Sequence, residues 1–408
     1  DMITVEDAKQ IIAKRIKLLD KETVPLQESR GRYLAEDIAA SFPMPRFDNS
    51  AMDGFAVRAG DTIGSTKDNP VSLKLIGGIA AGEPGNLKVG KGECAQCMTG
   101  ASVPDGADAV VMVEDTNGYD NGDTVKIFLE AKPGKHIRYK GEEIAEGAVL
   151  IRQHQEITPA ELGTMATFGY GEALVYRTPR VALFATGDEL VEPGQPLESG
   201  KIYNSNLFVF ADLASKQGAQ IMMQEIIADN RQALKLFLSR ALEQCDVIIS
   251  SGGVSMGRYD YVRDVLLELG VKEHFWKVSQ KPGRPLFFGT NSDTMIFGLP
   301  GNPVSCFIGF MEWVWPVLNM IEGGEDQQLV PAILTTSFPR EKEKTRFLFG
   351  QAWLEDGRLV CKPSIKVGSH MLSSSLDANC IIQSVPGDRH LAAGEPVLIR
   401  ILPWKTIT

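Results

Sequence analysis

The spacing of apolar positions along the 408 residues changes character from one segment to the next. In residues 3–20, Val5, Ala8, Ile11, Ile12, Ile16 and Leu19 recur at steps of three and four, which predicts a helix. Residues 43–140 carry short β-rich runs (71–76, 109–113 and 124–129) between glycine and proline turns, the pattern of a small all-β module. Residues 141–175 are mixed, with a helix expected over 159–168 behind Thr158 as N-cap. From 179 to about 323 the texture is α/β. Strands are expected at 181–185, 219–227, 246–250, 274–279 and 294–299, with helices at 205–217 and from the Asp229-Asn230 cap to about 245. That alternation implies a parallel, doubly wound sheet. Beyond Glu322-Gly323-Gly324-Glu325, strands at 331–337, 346–353, 358–363, 380–384 and 396–401 predict a separate C-terminal β-barrel. The expected fold class is therefore α/β plus β in a multidomain chain.

Composition narrows the classes of function. With 43% hydrophobic and 23% charged residues the chain reads as soluble and globular. Its apolar runs are short and interrupted, so no membrane insertion is expected. No basic stretch followed by an apolar run opens the chain, so no secretory signal is expected either. The net charge of −10 argues against nucleic acid as a partner. It leaves room for a small anion wherever local cations outvote the global field. The cysteines at 94, 97, 245, 306, 361 and 380 are sparse, which fits a reducing cytoplasm. Cys94 and Cys97 have metal-site spacing, but no second pair lies nearby. On the strand expected at 93–98 they point to opposite faces, so both are expected to be buried packing residues.

Ligands of open parallel sheets bind beyond the carboxyl ends of the strands. The sequence places Thr186, Gly187, Asp188 and Glu189 after the first strand and Asp229 after the second. Ser250, Ser251, Gly252, Gly253, Ser255 and Asp260 follow the third; Lys277, Lys281, Gly283 and Arg284 the next; Pro300, Gly301, Asn302, Pro303 and Ser305 the last. Asp188, Glu189, Asp229 and Asp260 are hard oxygen ligands suited to Mg²⁺. Lys281 and Arg284 suit an oxyanion. Gly252 and Gly253 let backbone N–H groups approach a phosphate, and Asn302-Pro303 reads as the N-cap and first residue of a helix aimed at the same place. Each motif alone also reads as a turn or a helix cap, Asp229 included. Their convergence on one sheet edge points to a phosphate ester or anhydride handled with a divalent metal.

These loops, in this order, resemble the molybdopterin molybdenumtransferase family (bacterial MoeA and the C-terminal domain of gephyrin). The likeness is carried by residues 47–56 (Phe-Asp-Asn-Ser-Ala-Met-Asp-Gly-Phe-Ala), Met98-Thr99-Gly100-Ala101, the segments 186–190, 250–255, 281–285 and 298–305, and Gly368-Ser369-His370. It extends over essentially the whole chain. The resemblance implies four domains: residues 1–20 with 176–325 as the α/β molybdopterin-binding domain, 21–42 with 141–175 as a small mixed domain, 43–140 as an inserted β-rich domain, and 326–408 as the barrel. It implies a cytoplasmic homodimer that acts on adenylylated molybdopterin and molybdate with Mg²⁺, releasing AMP and leaving molybdenum on the dithiolene. The molybdopterin adenylyltransferase and the recipient molybdoenzymes are the implied partners.

Carried over position by position, the implied functional residues are Asp53, Thr99, Arg138, Glu143, Glu189, Asp229, Asp260, Lys277, Lys281, Pro300, Pro303 and Ser369. Ser250, Gly252, Gly253 and Asn302 join them at the phosphate cradle, and Ser305 and Arg346 beside Lys281 and Arg284 at molybdate. The chain departs from the family pattern at Glu143, where Asp is usual, and at Arg284, where Lys is usual; Arg grips an oxyanion by a fork instead of a point charge. Two other readings share parts of this pattern: molybdopterin adenylyltransferase, the preceding step, and a gephyrin-like scaffold.

Overall fold

The computed structural model describes residues 2–83, 85–120, 122–253, 261–364, 368 and 372–407. The chain divides into two compact units, residues 1–36, 154–158 and 172–408 in one and 37–153 with 159–171 in the other.

The first unit is built on a six-stranded sheet in the order Gln220–Ile227, Arg180–Thr186, Val247–Ser251, Thr294–Leu299, Pro285–Asn291, Lys272–Lys277. Neighbours among the first four run parallel, as the alternating pattern predicts. Pro285–Asn291 corrects the all-parallel expectation: it pairs antiparallel with both neighbours. Its sequence follows a Lys-Pro-Gly-Arg turn and returns through Ser292, whose φ of 50° closes a tight hairpin to Thr294. Period-two alternation buries both faces. Val181, Leu183 and Ala185 join one core and Ala182 and Phe184 the other. Helices Asn206–Lys216 and Pro303–Gly309 pack on the first face, Arg231–Gln244 and Tyr261–Glu268 on the second, which makes the domain doubly wound.

The N-terminal helix packs on the first face through Val5, Ala8 and Ile12, but it is shorter than its apolar spacing predicts. It runs over Val5–Ala13 behind the Thr4 N-cap. The Arg15 guanidinium folds back onto the Ile11 carbonyl at 2.6 Å and satisfies the helix end. Ile16 and Leu19 reach the same core from extended chain, where the Leu19 N–H donates to Ile321 O.

Residues 303–321 form a run of 19 residues long and apolar enough to cross a membrane, and 83% of it is buried inside the domain. Within it Phe310–Val314 widens into a π turn, with Trp315 N–H donating to Phe310 O. Pro316 explains the widening: it has no N–H to offer the carbonyl four residues back, and its ring would strike that carbonyl in a regular helix.

The C-terminal strands close into a five-stranded barrel in the order Thr345–Glu355, Arg358–Pro363, Val330–Leu334, Pro396–Ile401, Cys380–Ser384 and back to Thr345–Glu355. Leu348, Ala352 and Ile382 fill its interior, while Phe347, Phe349 and Ile381 alternate outward into the α/β core. One buried ion pair crosses the same junction. Arg400, 0% exposed, donates from Nε to Glu312 Oε1 at 2.9 Å, and Glu312, in the π turn, is 1% exposed. Arg400 NH1 donates to Asp326 Oδ1 at 3.1 Å and Gln327 O at 3.3 Å, and NH2 donates to Glu312 Oε2 at 3.3 Å.

The second unit holds a five-stranded sheet in the order Ala109–Met112, Gly54–Val57, Glu93–Cys97, Val71–Ile79, Thr124–Ile127. Cys94 packs with Phe55, Val57 and Val111 on one face, Cys97 with Ala56, Ile79 and Val110 on the other. Burial pushes the Cys94 thiol up to about 12 and the Cys97 thiol up to about 11. The helix Pro159–Thr167 also lies in this unit.

Two tests follow from this packing. All six cysteines are free and buried, so the native protein is expected to resist an aromatic disulfide reagent at neutral pH and to react at every thiol once unfolded; a single fast native thiol contradicts the burial. Arg400→Ala leaves the buried Glu312 carboxylate only the longer Lys9 contact at 3.7 Å, and denaturant unfolding is expected to show a loss on the order of 3 kcal/mol. The apolar pair Arg400→Met with Glu312→Leu should recover most of that loss; no recovery refutes the account.

Candidate functional site

The carboxyl edge of the parallel strands gathers most of the residues that the sequence singles out. Arg180–Thr186 runs into Gly187, whose φ of 145° suits glycine, and a Cβ there would lie 2.6 Å from Glu189 Oε2. Asp188 Oδ1 accepts the Asp229 N–H at 3.0 Å, tying the loop after the first strand to the loop after the second. Neither acid caps a helix: Asn230 Oδ1 accepts from Gln232 N at 2.9 Å and Ala233 N at 3.0 Å. This corrects the reading of Asp229 as a cap residue. Burial first, then the neighbouring charges of Asp188 and Glu189, raises the Asp229 carboxyl above its ordinary value. Lys201 Nζ donates to Asp188 O at 2.6 Å and Ile202 N to Glu189 O at 2.9 Å, so this exposed acidic loop is pinned from its far side. A cleft at its foot is lined by Thr186, Asp229, Asn230, Tyr261 and Val262.

The third strand ends in Ser250 and Ser251, both buried. Successive strand residues face opposite ways, and only Ser251 joins the rim contacts. Asn206, the first residue of helix Asn206–Lys216, donates from Nδ2 to Ser251 Oγ at 2.7 Å and to Gly301 O at 2.8 Å. It links the loops after the third and last strands, and only its polar position at a helix start marks it in the sequence. Among the described residues the buried Ser250 Oγ has no partner. Gly252 N donates to Leu299 O at 2.9 Å. A Cβ at Gly253, where φ is 72°, would stand 2.2 Å from Val262 Cγ2, so the bare backbone of this loop is required by its neighbour. Asn302 holds the N-cap position and Pro303 opens the helix, as expected. Ser255 and Asp260 lie outside the described residues.

The cationic side of the rim is the turn between Lys272–Lys277 and Pro285–Asn291. The Lys277 ammonium stands 4.5 Å from the Trp276 ring centroid. Gln280, buried, donates to Gly283 O at 2.8 Å and accepts from Trp313 Nε1 at 3.1 Å, which fixes the turn on the core helix. A Cβ on Gly283 would lie 3.7 Å from Ser305 O and 3.8 Å from Pro300 Cγ, so this turn adjoins the Pro300–Ser305 segment. Gln280–Lys281 pairs parallel with Thr345 and Arg346 of the barrel, which brings Lys281 beside Arg346. Between them lies a residue absent from the sequence reading, Glu341: its Oε1 accepts from Lys281 Nζ at 2.6 Å and Arg346 NH1 at 2.5 Å. Lys281, then Arg346, holds the Glu341 carboxyl below its ordinary range. Its only sequence signal is membership of the mixed-charge run Arg340-Glu-Lys-Glu-Lys344. Arg284 is exposed. Ser369 and His370 lie outside the described residues.

Four implied residues belong to the second unit, two of them in mutual contact. Asp53 Oδ1 accepts both the N–H and the hydroxyl of Thr99, each at 2.7 Å, and these bonds hold the Asp53 carboxyl below its ordinary value. Gly54 follows because a Cβ there would fall 1.9 Å from Val111 O. Ser50 O accepts from Gly100 N at 2.8 Å, and Ser50 N donates to Ala101 O at 2.9 Å, lacing the two loops together. Arg138 is exposed on a short strand opposite Asn49, and Glu143, also exposed, donates its N–H to Met44 O at 3.1 Å.

Comparison with known proteins places this arrangement. The family profile described as MoeA N-terminal region (domain I and II) matches residues 3–169. The probable molybdopterin binding domain matches 182–320, and the MoeA C-terminal region (domain IV) matches 331–402. The chain is 34% identical to the molybdopterin molybdenumtransferase of Bacillus subtilis (strain 168), over 100% of this chain and 97% of that one. It is 34% identical to the Haemophilus influenzae protein of the same name, over 98% of each. The crystal structure of a molybdopterin biosynthesis MoeA protein from Pyrococcus horikosii superimposes with a TM-score of 0.86 at 30% identity, covering 98% of this chain and 99% of that one. On these full-length matches, the chain belongs to the molybdopterin molybdenumtransferase family.

Proposed function

We propose that this chain inserts molybdenum in molybdenum cofactor biosynthesis, transferring molybdate to the dithiolene of adenylylated molybdopterin with Mg²⁺-dependent release of AMP. Family membership carries the transferase role. The observation that supports the finer reading is the rim itself, where an acidic pair, a glycine cradle and a row of cations meet at the carboxyl edge of one sheet. A cytoplasmic homodimer serving recipient molybdoenzymes, supplied by the molybdopterin adenylyltransferase, completes the proposal.

The residues present fit Mg²⁺. Among the described residues no group of three or more His, Cys, Asp or Glu stands close enough to cage a metal. Mg²⁺ ordinarily takes only one or two carboxylates and keeps its waters, and Asp188 and Asp229 are such a pair. Their mutual repulsion raises the Asp229 carboxyl after burial does. Asp188 and Asp229 would hold the ion, with Glu189 and Asp260 in the same role. Bound there, it would supply neutralisation of the adenylyl phosphate charge.

The chain's own groups do the remaining work. The Gly252-Gly253 turn, whose Gly252 N–H is held by Leu299 O, lines the phosphate with backbone free of side chains, Asn206 locks the two loops that flank it, and Lys281 with Arg346 and Arg284 holds molybdate. Pro300, Asn302, Pro303 and Ser305 shape the cradle, Ser250 backs it from the opposite face of its strand, and Lys277 adds positive charge. Asp53, Thr99, Arg138, Glu143 and Ser369 are assigned to the site by family likeness.

The direct test mixes the protein with adenylylated molybdopterin and follows AMP. Release is expected only with both molybdate and Mg²⁺ present, and Glu189→Ala should slow it by roughly 10²–10³. Consumption of ATP with free molybdopterin would instead point to the adenylyltransferase, and no turnover with either substrate to a scaffold. The metal has a separate readout. The Asp229 carboxyl is raised in the folded state, so its contribution favours the fold below the unfolded pKa and is lost as pH rises through the folded pKa. Mg²⁺ is therefore expected to raise the melting temperature at neutral pH and much less near pH ~4. Asp188→Asn with Asp229→Asn should abolish the Mg²⁺ effect; a shift that survives both changes moves the metal elsewhere.

A further inference from the structure

We propose that Glu341 is the resident occupant of the molybdate seat: its carboxylate holds the place of a tetrahedral oxyanion between Lys281 and Arg346 and is displaced when the oxyanion binds. This rests on the reading of Lys281 and Arg346 as molybdate ligands and adds a residue that sets how tightly that ligand is held.

The geometry begins with register. Lys281 pairs with Arg346 across one ladder, and Arg346 pairs with Ser384 across the next. Residues directly paired across a ladder project from the same face, so the three form a row across adjacent strands. That face also carries Leu348 and Ile382, two and two residues further along, which fill the barrel interior. The row therefore stands at one end of the barrel's inner face. Arg346 is nearly buried there, its side chain 8% exposed, while Lys281 at 50% opens to solvent.

Glu341 does not satisfy this seat. Both cations bond the same oxygen, Oε1. Among the described residues Arg346 Nε and Ser384 Oγ are buried with no partner, although Arg346 and Ser384 face each other in register. Buried polar groups left unpaired are costly, and a pair of them beside a charged seat points to a ligand with more acceptors than a planar carboxylate supplies. A tetrahedral dianion has four oxygens and can reach these donors as well as the two that Glu341 now takes. Charge gives the same direction. With Glu341 in place one unit of positive charge is left unmatched, and a monoanion that displaces Glu341 leaves the same excess, whereas a dianion matches both cations. Displacement does not call for backbone motion, because the Glu341 chain is tied down: Gly387 N donates to Glu341 O at 2.9 Å, and Arg340 Nε donates to Val385 O at 2.7 Å. The side chain alone has to swing away, and at 28% exposure it has solvent to swing into. Competition from this carboxylate makes the empty seat refuse monoanions and yield only to a dianion that recruits Arg346 Nε and Ser384 Oγ.

The test is calorimetric titration of the full-length protein with molybdate alone. Glu341→Gln keeps an acceptor but removes the competing charge, and is expected to tighten Kd about tenfold. Glu341→Asp, which keeps the charge, should stay near the wild-type value. Ser384→Ala in the Glu341→Gln background should lose most of the gain, with an unchanged melting temperature as the check on folding. Weaker or unchanged binding in Glu341→Gln, with Lys281→Met still impairing the wild type, overturns the proposal and leaves the molybdate seat standing. Indifference of molybdate binding to both Lys281→Met and Arg346→Gln removes the seat itself, and the proposal with it.

Discussion

The Arg400–Glu312 pair is the constraint on which the first unit's chemistry depends. A guanidinium and a carboxylate, both out of solvent, cannot separate without leaving Arg400 only the partly exposed Asp326 and Glu312 only the Lys9 ammonium at 3.7 Å. Arg400 sits on a barrel strand and Glu312 on the central apolar helix of the α/β domain. Their bond therefore fixes where the barrel stands against the sheet. That position in turn lets Gln280–Lys281, a turn of the α/β domain, continue the barrel sheet beside Thr345 and Arg346. The cation row is assembled from two domains, and a buried ion pair holds them in register.

The same helix serves at both ends of this arrangement. Its first residues, Asn302 and Pro303, stand at the carboxyl edge of the sheet, next to Gly301, which Asn206 ties to the loop after the third strand. A few turns on, Pro316 forces the π turn in which Glu312 lies, and Trp313 of that turn donates to Gln280, the anchor of the Lys281 loop. A regular helix would carry a different face to both partners. The proline thus acts on the site through backbone geometry, by setting the rotation of Glu312 and Trp313 about the helix axis.

Legibility in the sequence followed the range of each interaction. Strands and helices whose faces repeat locally, such as Val247–Ser251 and Thr294–Leu299, lie within a residue or so of where alternation puts them. The loops at their ends carried glycine, proline and carboxylate signals, so most of the rim could be named in advance. What stayed hidden depends on partners far along the chain. Arg400 and Glu312 are separated by 88 residues and Lys281 and Glu341 by 60, and nothing local distinguishes these charges from solvated ones. Asn206 looks like any polar residue at a helix start until Ser251 and Gly301 are placed beside it. Pro285–Asn291 was missed for a different reason: its entry through Lys-Pro-Gly-Arg-Pro has the composition of a turn, and only tertiary pairing with Thr294–Leu299 makes it a strand.

Charge placement leaves room for an anion site in a protein of net charge −10. The acids at the rim are concentrated in the loop after the first strand and at Asp229, where they repel one another. The cations lie at the barrel junction, and there Glu341 already offsets part of their field. Both halves of the site are thus held away from electrostatic balance in opposite senses, one short of a cation and the other short of a full anion. On the proposed function, a divalent cation would answer the first imbalance and a tetrahedral dianion the second.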